Sequence, residues 1–428
     1  MEANFWSSPA AWPHQVRQRV RRIRHLRIEG EPEGKGRRGT RAVPAFQRQV
    51  ISQLDRGGHG AMTGPVALDI HFQAARKNPT AIHRVTKWAL DALEGTVVDG
   101  PRAHRRALLY RNDRQVKLLH VHLQQTWDSE GDLTEPESGI SRIMARPVRD
   151  VVEDLRVFHR LDDDGDHDDD SGDEDFDDDP FSIMAPVFGD PEMRRVASAI
   201  NDWNLFRLRE RTQRVLLDSA DHLISNALRA APHRIAGARR PRDPATDGEA
   251  WQLLHRAMRH RDIGWDHLLS GPLTIPMPGL PSASGERSQF RDEVRRQLEE
   301  FRRHHRALDP LVVPLKITIL VVPPEQGKDL DNIALDVLPT AHEVLKPHVE
   351  PWLLAPTFGE IGEHREKALR RMRSINAQSV TTYQVIELQR IPEDPKAGLL
   401  RLVLGRGDQY DSFWTETYDL VRKRLSRI

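Results

Sequence analysis

The sequence predicts an α+β chain in which two segments, each mixing strands with amphipathic helices, flank an acidic run and a helical stretch. Three observations carry this expectation. Two apolar runs, Val66 to Phe72 and Leu315 to Val322, have strand length and strand composition, and each precedes an apolar helical pattern. Residues 162–179 hold 13 acidic groups and no Lys or Arg, too much like charge to pack. Residues 190–231 repeat apolar positions at three- to four-residue steps, the signature of helix.

Taken in order, residues 14–28 read as a basic helix and residues 29–41, rich in Gly, as mobile. Ala45 to Leu54 reads as helix. Val66, Leu68, Ile70 and Phe72 fall on one strand face at period two. Ile82 to Leu93 follows as a helix ended by Gly95, and Arg106 to Gln124 as one or two strands joined at Asn112-Asp113. After the helical stretch, 232–247 is a Pro/Arg/Asp-rich loop and Trp251 to Leu269 another helix. Leu273 to Ile275 is a short strand, and Phe290, Val294, Leu298 and Phe301 mark one face of a helix. The strand Leu315 to Val322 comes next, then strands at Tyr383 to Leu388 and Leu399 to Leu404, and a basic amphipathic helix closes the chain from Phe413.

Composition narrows the function classes. The chain of 428 residues has room for two or three domains and contains no cysteine, which excludes disulfides and thiolate metal sites. No apolar run approaches the length of a membrane span, and the Arg17 to Arg27 stretch is too basic for a signal peptide, so a cytoplasmic protein is expected. Removing the 13 acidic charges from a chain of net charge zero leaves the remainder at +13. A basic body favours polyanions such as nucleic acid. The acidic run reads either as a solubilising linker or as an internal mimic of DNA that competes for the basic surface.

The densest chemistry lies in Lys328-Asp329-Leu330-Asp331-Asn332. Two carboxylates at i and i+2, where a loop gives way to a helix, repel each other unless a cation sits between them. Oxygen ligands of this kind suit Mg²⁺, with Mn²⁺ as an alternative, and the matching chemistry is phosphoryl transfer or phosphodiester hydrolysis. The competing reading is a solvated helix N-cap. His120 and His122 share a strand face, but no third metal ligand is evident from the sequence, so a structural role is the simpler reading.

The order Pro278-Gly279-Leu280-Pro281, amphipathic helix, apolar strand, Lys-Asp-Leu-Asp-Asn and then Leu335-Asp336-Val337-Leu338 resembles the RusA-like Holliday-junction resolvases over residues 272–405. The resemblance implies an α+β fold, a Mg²⁺-dependent endonuclease and branched DNA as substrate, in recombination or repair. It maps Asp329 and Asp331 onto the metal-binding aspartates, with Lys328 near the phosphate and Asp336 or Glu350 completing the metal shell. The family's lysine falls at Leu335, and its later acidic pair is absent, with Glu350 near that spacing.

Residues 43–150 repeat the plan in a form without the acid pair. Lys87-Trp88-Ala89-Leu90-Asp91-Ala92-Leu93 keeps the lysine, while Ala81 and His83, or Asn78 and Thr80, stand where the aspartates belong. The expected organisation is therefore a basic arm (1–42), a degenerate RusA-like domain (43–150), a disordered acidic linker (160–182), a helical connector (183–270) and a RusA-like mixed-sheet domain (271–428). Since the family works as homodimers, the tandem reads as an intramolecular pseudo-dimer or a further homo-oligomer. In it, Lys87 is either structural or a contributor to the Asp329/Asp331 site. Arg17, Arg19, Arg21, Arg22, Arg24, Arg37, Arg38, Arg302 and Arg303 are the candidate contacts to the DNA backbone. The rival expectations are a catalytically inactive DNA-binding protein and an interaction scaffold built on the helical middle and the acidic linker.

Overall fold

A computed structural model describes residues 11–76, 79–98, 104–124, 138–163, 191–230, 273–281, 286–326, 328–346, 380–388, 394–407 and 411–425, with 390 and 392. The acidic run beyond residue 163, the expected helix at 251–269 and Glu350 lie outside the described residues.

The elements run α1 (Trp12–Val20), β1 (Arg24–Glu29), α2 (Arg37–Arg56), β2 (Val66–Gln73), α3 (Ile82–Glu94), β3 (Gly95–Val98), β4 (His104–Ala107), β5 (Val116–Gln124), β6 (Ile140–Pro147) and α4 (Val148–Asp163). They continue as α5 (Pro191–Ala230), β7 (Thr274–Met277), α6 (Arg287–His304), β8 (Leu315–Val322), α7 (Leu330–Val344), β9 (Val380–Glu387), β10 (Leu399–Arg406) and α8 (Phe413–Leu425). β3 and β4 form a separate hairpin, and the other eight strands make one mixed sheet in the order β1-β6-β2-β5-β9-β8-β10-β7.

That order contains an internal symmetry. β2 and β5 are parallel, as are β8 and β9. β6 runs antiparallel between β1 and β2, and β10 runs antiparallel between β7 and β8. The succession β1-α2-β2-α3-β5-β6-α4 thus recurs as β7-α6-β8-α7-β9-β10-α8. The halves join where β5 meets β9 antiparallel, with His120 directly opposite Gln384. Antiparallel pairing of two equivalent strands is what a two-fold relation between them requires.

Side-chain alternation explains the two layers of helix. Leu119, Val121, Leu123, Ile317, Ile319 and Val385 point to one face and pack with Phe46, Val85, Trp88, Leu298 and Ile333 of α2, α3, α6 and α7. Leu118, Leu320 and Ile386 point to the other and pack with Val151, Leu228, Phe413 and Trp414 of α4, α5 and α8. Burial on both faces is why β8 reads as a nearly unbroken apolar run; β9 is equally buried but carries Thr381, Thr382, Gln384 and Glu387. α5 is attached to the second half: Gln213 donates to the carbonyls of Ala307 and Pro310, and buried Lys316 pairs with Asp221 at 2.9 Å.

The N-terminal segment differs from expectation. The helix ends at Val20, and Arg24–Glu29 is the edge strand β1, because Leu26 and Ile28 alternate with charged residues and find β6 as partner. Helix α2 begins at Arg37, inside the stretch expected to be mobile. β6, the β3–β4 hairpin and α4 had no separate sequence signal. The alternation of β6 is masked by Arg142, Arg146 and Pro147.

Candidate metal centre at the junction of the halves

Helices α3 and α7 occupy equivalent places and touch across the junction. Asp329 holds the N-cap position of α7 in extended conformation and makes no capping hydrogen bond to the backbone. Its carboxylate accepts from the Asn332 side-chain amide at 3.1 Å and pairs with Arg114 Nε at 3.1 Å. Asp331, in the first turn, is buried and accepts from the Asn332 backbone N–H at 2.7 Å.

Lys87 of the first half meets this second-half carboxylate. Its Nζ lies 2.6 Å from Asp331 Oδ2, 3.1 Å from Asp91 Oδ1 and 3.7 Å from Asp113 Oδ2. Asp91 is one helical turn beyond Lys87 on α3. Asp113 and Arg114 sit in a short 3₁₀ turn that Asn112 and Gln115 cap reciprocally. The turn thereby aims both side chains at α7.

The electrostatics follow from burial. Burial by itself would lower the Lys87 ammonium, but its hydrogen bond to Asp331 and the charges of Asp331 and Asp91 raise it overall. Asp113 is raised, first by burial and then by the charges of Asp329 and Asp331, against the pull of Lys87. Carboxylates crowded this way favour a bound cation over mutual repulsion.

The equivalent position in the other half is blank. Counted from the helix starts at Ile82 and Leu330, Lys87 corresponds to Leu335 and Asp331 to His83. His83 is buried with its ring 6.1 Å from that of His342. Burial lowers both imidazoles to about 4, so this pocket holds neutral rings and no acid pair. One acidic centre is built at the junction, from side chains of both halves.

Other sequence candidates are placed elsewhere. Lys328 Nζ lies 3.1 Å from Asp336 Oδ2, and Arg291 and Arg287 approach the same carboxylate at 3.4 and 3.7 Å. Asp336 is five residues beyond Asp331, about 140° round the helix, so the two carboxylates face different partners. Arg19 is buried against Asp154 at 2.8 Å, and Arg22 pairs with Asp150 at 2.8 Å. Arg24 donates to the Arg22 carbonyl and Arg302 pairs with Asp309 at 3.1 Å, while Arg17, Arg21, Arg37, Arg38 and Arg303 are exposed.

Two groups among the described residues could hold a metal ion: Asp91, Asp113 and Asp331, and Asp69, His71 and His120, with ligand atoms within 4.8 Å of one another in each. Neither Asp91 nor Asp113 is singled out by the sequence reading: Asp91 stands four residues after Lys87, the one local signal that could have found it, and Asp113 carries no signal beyond a turn. In the second group, burial would raise the Asp69 carboxyl. The charge and hydrogen bond of His120, the charge of His71 and the Ser412 hydroxyl bring it down to about 2. Among the described residues, no helix is long and apolar enough to cross a membrane. Comparison with family models, with curated proteins and with solved structures returns no match.

Proposed function

We propose that this protein is a Mg²⁺-dependent, structure-selective DNA endonuclease with a RusA-like half on each side of the sheet junction and one composite active site. A single observation carries the reading: Lys87 of the first half lies 2.6 Å from Asp331 of the second, among Asp91 and Asp113. The lysine that the acidic motif lacks in its own half arrives from the other.

The donor set fits the ion. Asp91, Asp113 and Asp331 offer only oxygen, the chemistry Mg²⁺ prefers, and they would be its ligands. When bound, the ion supplies Lewis-acid activation of a phosphodiester and of a water molecule. Lys87 inside the centre and Arg114 at its rim bring positive charge to where a phosphate oxygen would gain charge during hydrolysis. Asn332 and Arg114 orient Asp329, and exposed Arg37, Arg38 and Arg303 supply contacts to the DNA backbone. A non-catalytic DNA-binding protein on the same fold is the second reading, favoured by the ammonium that already neutralises Asp331.

The test is cleavage of four-way junctions, flaps and linear duplex with and without Mg²⁺. The expected result is metal-dependent cutting of branched DNA, lost at least about 100-fold in Asp331→Asn with binding retained. Wild-type protein that binds branched DNA and cuts none with Mg²⁺ or Mn²⁺ overturns the nuclease in favour of the second reading. Absence of binding at low salt overturns both.

A further inference from the structure

We propose that His71, His120 and His122, with Asp69 as the carboxylate that orients His120, form a second metal site, for a divalent transition-metal ion of the zinc class, on the opposite face of the sheet from the acidic centre. The site would fasten α8, an element of the second half, to the strands of the first.

Strand register builds the site. β2 and β5 are adjacent and parallel, with Asp69 beside His120 and His71 beside His122. At period two all four side chains leave the sheet on one face. That is the face covered by α8, since Ser412 and Thr415, at the start of that helix, donate to Asp69 Oδ2 at 2.7 and 2.6 Å. The His71 ring lies 5.7 Å from the His120 ring and 5.9 Å from the His122 ring. The Asp69, His71 and His120 donors are already within 4.8 Å of one another.

His120 gives the second, independent observation. Its Nδ1 is hydrogen-bonded to Asp69, and its Nε2 is fully buried with no hydrogen-bond partner among the described residues. A carboxylate on Nδ1 fixes the tautomer in which Nε2 carries the lone pair, the arrangement found behind metal-ligating histidines. A buried nitrogen left without a partner is costly, and a metal ion would remove the cost. Trp414 packs edge-on to the His120 ring at 6.2 Å and holds it in place. His71, with its side chain 27% exposed, is the point of entry from solvent.

Internal symmetry shows that the fold does not demand this set. His120 lies directly opposite Gln384, and Thr318 is to Gln384 what Asp69 is to His120. There Gln384 donates to Thr318 at 2.6 Å, a neutral pair that serves the sheet without a carboxylate or an imidazole. The Asp69–His120 pair is thus particular to the first half, on the face that receives α8. The ligand type argues for the metal class: imidazole nitrogen suits zinc-type ions, whereas the all-oxygen centre at Asp331 suits Mg²⁺.

The experiment uses the full chain, stripped with chelator and titrated with Zn²⁺ and, separately, with Co²⁺ as a spectroscopic probe. The expected result is one equivalent of Zn²⁺ bound at micromolar or tighter Kd with a rise in Tm, and a Co²⁺ spectrum of tetrahedral type that Zn²⁺ bleaches. His71→Ala, at the rim, should stay folded by circular dichroism and bind at least 10-fold more weakly. His71→Gln should do the same, and Asp331→Asn should bind as wild type. Binding weaker than millimolar, or equal in wild type and both His71 variants, overturns the site. Binding lost in Asp331→Asn but kept in His71→Ala also overturns it, because the ion would then belong to the acidic centre.

Discussion

Replacing Lys87 by Met removes one ammonium from among three carboxylates and leaves the hydrocarbon stem nearly intact. Lys87 is 14% exposed and Asp331 2%, so the pair is largely out of water. At 2.6 Å the gross attraction is about 6 kcal/mol for an effective dielectric of about 20. Desolvation offsets much of that, and removing one partner of a buried pair costs about 3–5 kcal/mol because the other charge is left behind. Asp91 and Asp113 then repel Asp331 unscreened, which places the loss at the upper end. The charge-matched double variant Lys87→Met/Asp331→Leu should recover a large part of it. Mg²⁺ should stabilise the single variant more than wild type, where the ammonium competes for the same carboxylates: at about 10 mM ion and a Kd of about 1 mM the gain in the variant is about 1.4 kcal/mol. Urea unfolding of wild type, both single variants and the double variant, with and without Mg²⁺, measures all of these terms. A loss below about 1 kcal/mol for Lys87→Met, with no coupling to Asp331, would refute the composite centre.

Three further outcomes follow from other parts of the fold. Asp154 is buried between Arg19 and Arg146, so Asp154→Ala leaves two guanidinium groups without their carboxylate and should cost about 3–5 kcal/mol in urea unfolding; Asp154→Asn should cost less. His83 and His342 titrate near 4 in the fold against 6.5 when exposed, so the unfolded chain binds more protons between those values and stability falls as pH drops through that window. Each ring contributes up to about 3 kcal/mol, and His342→Gln should flatten the dependence of the urea midpoint on pH between 7 and 4.5. Gly398 has φ +76°, and a Cβ there would come 2.2 Å from the Val322 carbonyl oxygen. Gly398→Ala should therefore lower stability by more than the ~1–2 kcal/mol of the left-handed conformation alone, read as a fall in Tm.

Much of the fold was legible because it is written in periods. The apolar strands β2 and β8, the α3 pattern from Ile82 and the α6 face of Phe290, Val294, Leu298 and Phe301 all appear at their expected places. β1 was misread because Arg-rich sequence hides a strand whose apolar face is only Leu26 and Ile28. At the candidate site, Asp329, Asp331 and Lys87 could each be singled out by local spacing. Asp113 could not, since Asp331, whose carboxylate lies within 4.8 Å of its own, is 218 residues away in the chain. Asp336 and Lys328 were plausible partners by proximity in sequence, but helix rotation turns Asp336 toward Arg291 and away from Asp331, and Lys328 pairs with Asp336.

The sequence by itself determined the alternation of strand and helix, the doubled plan, and the two carboxylates of the acidic motif. These are properties of local pattern, and burial of one apolar face per element is enough to express them. Only the tertiary structure decided that Lys87 meets Asp331 and that Asp69 and His71 stand beside His120 and His122. Both facts depend on which strand lies beside which, and in which register. Register is set by the packing of the whole sheet, through the β5–β9 pairing and the parallel β2–β5 pairing, and no run of neighbouring residues contains it.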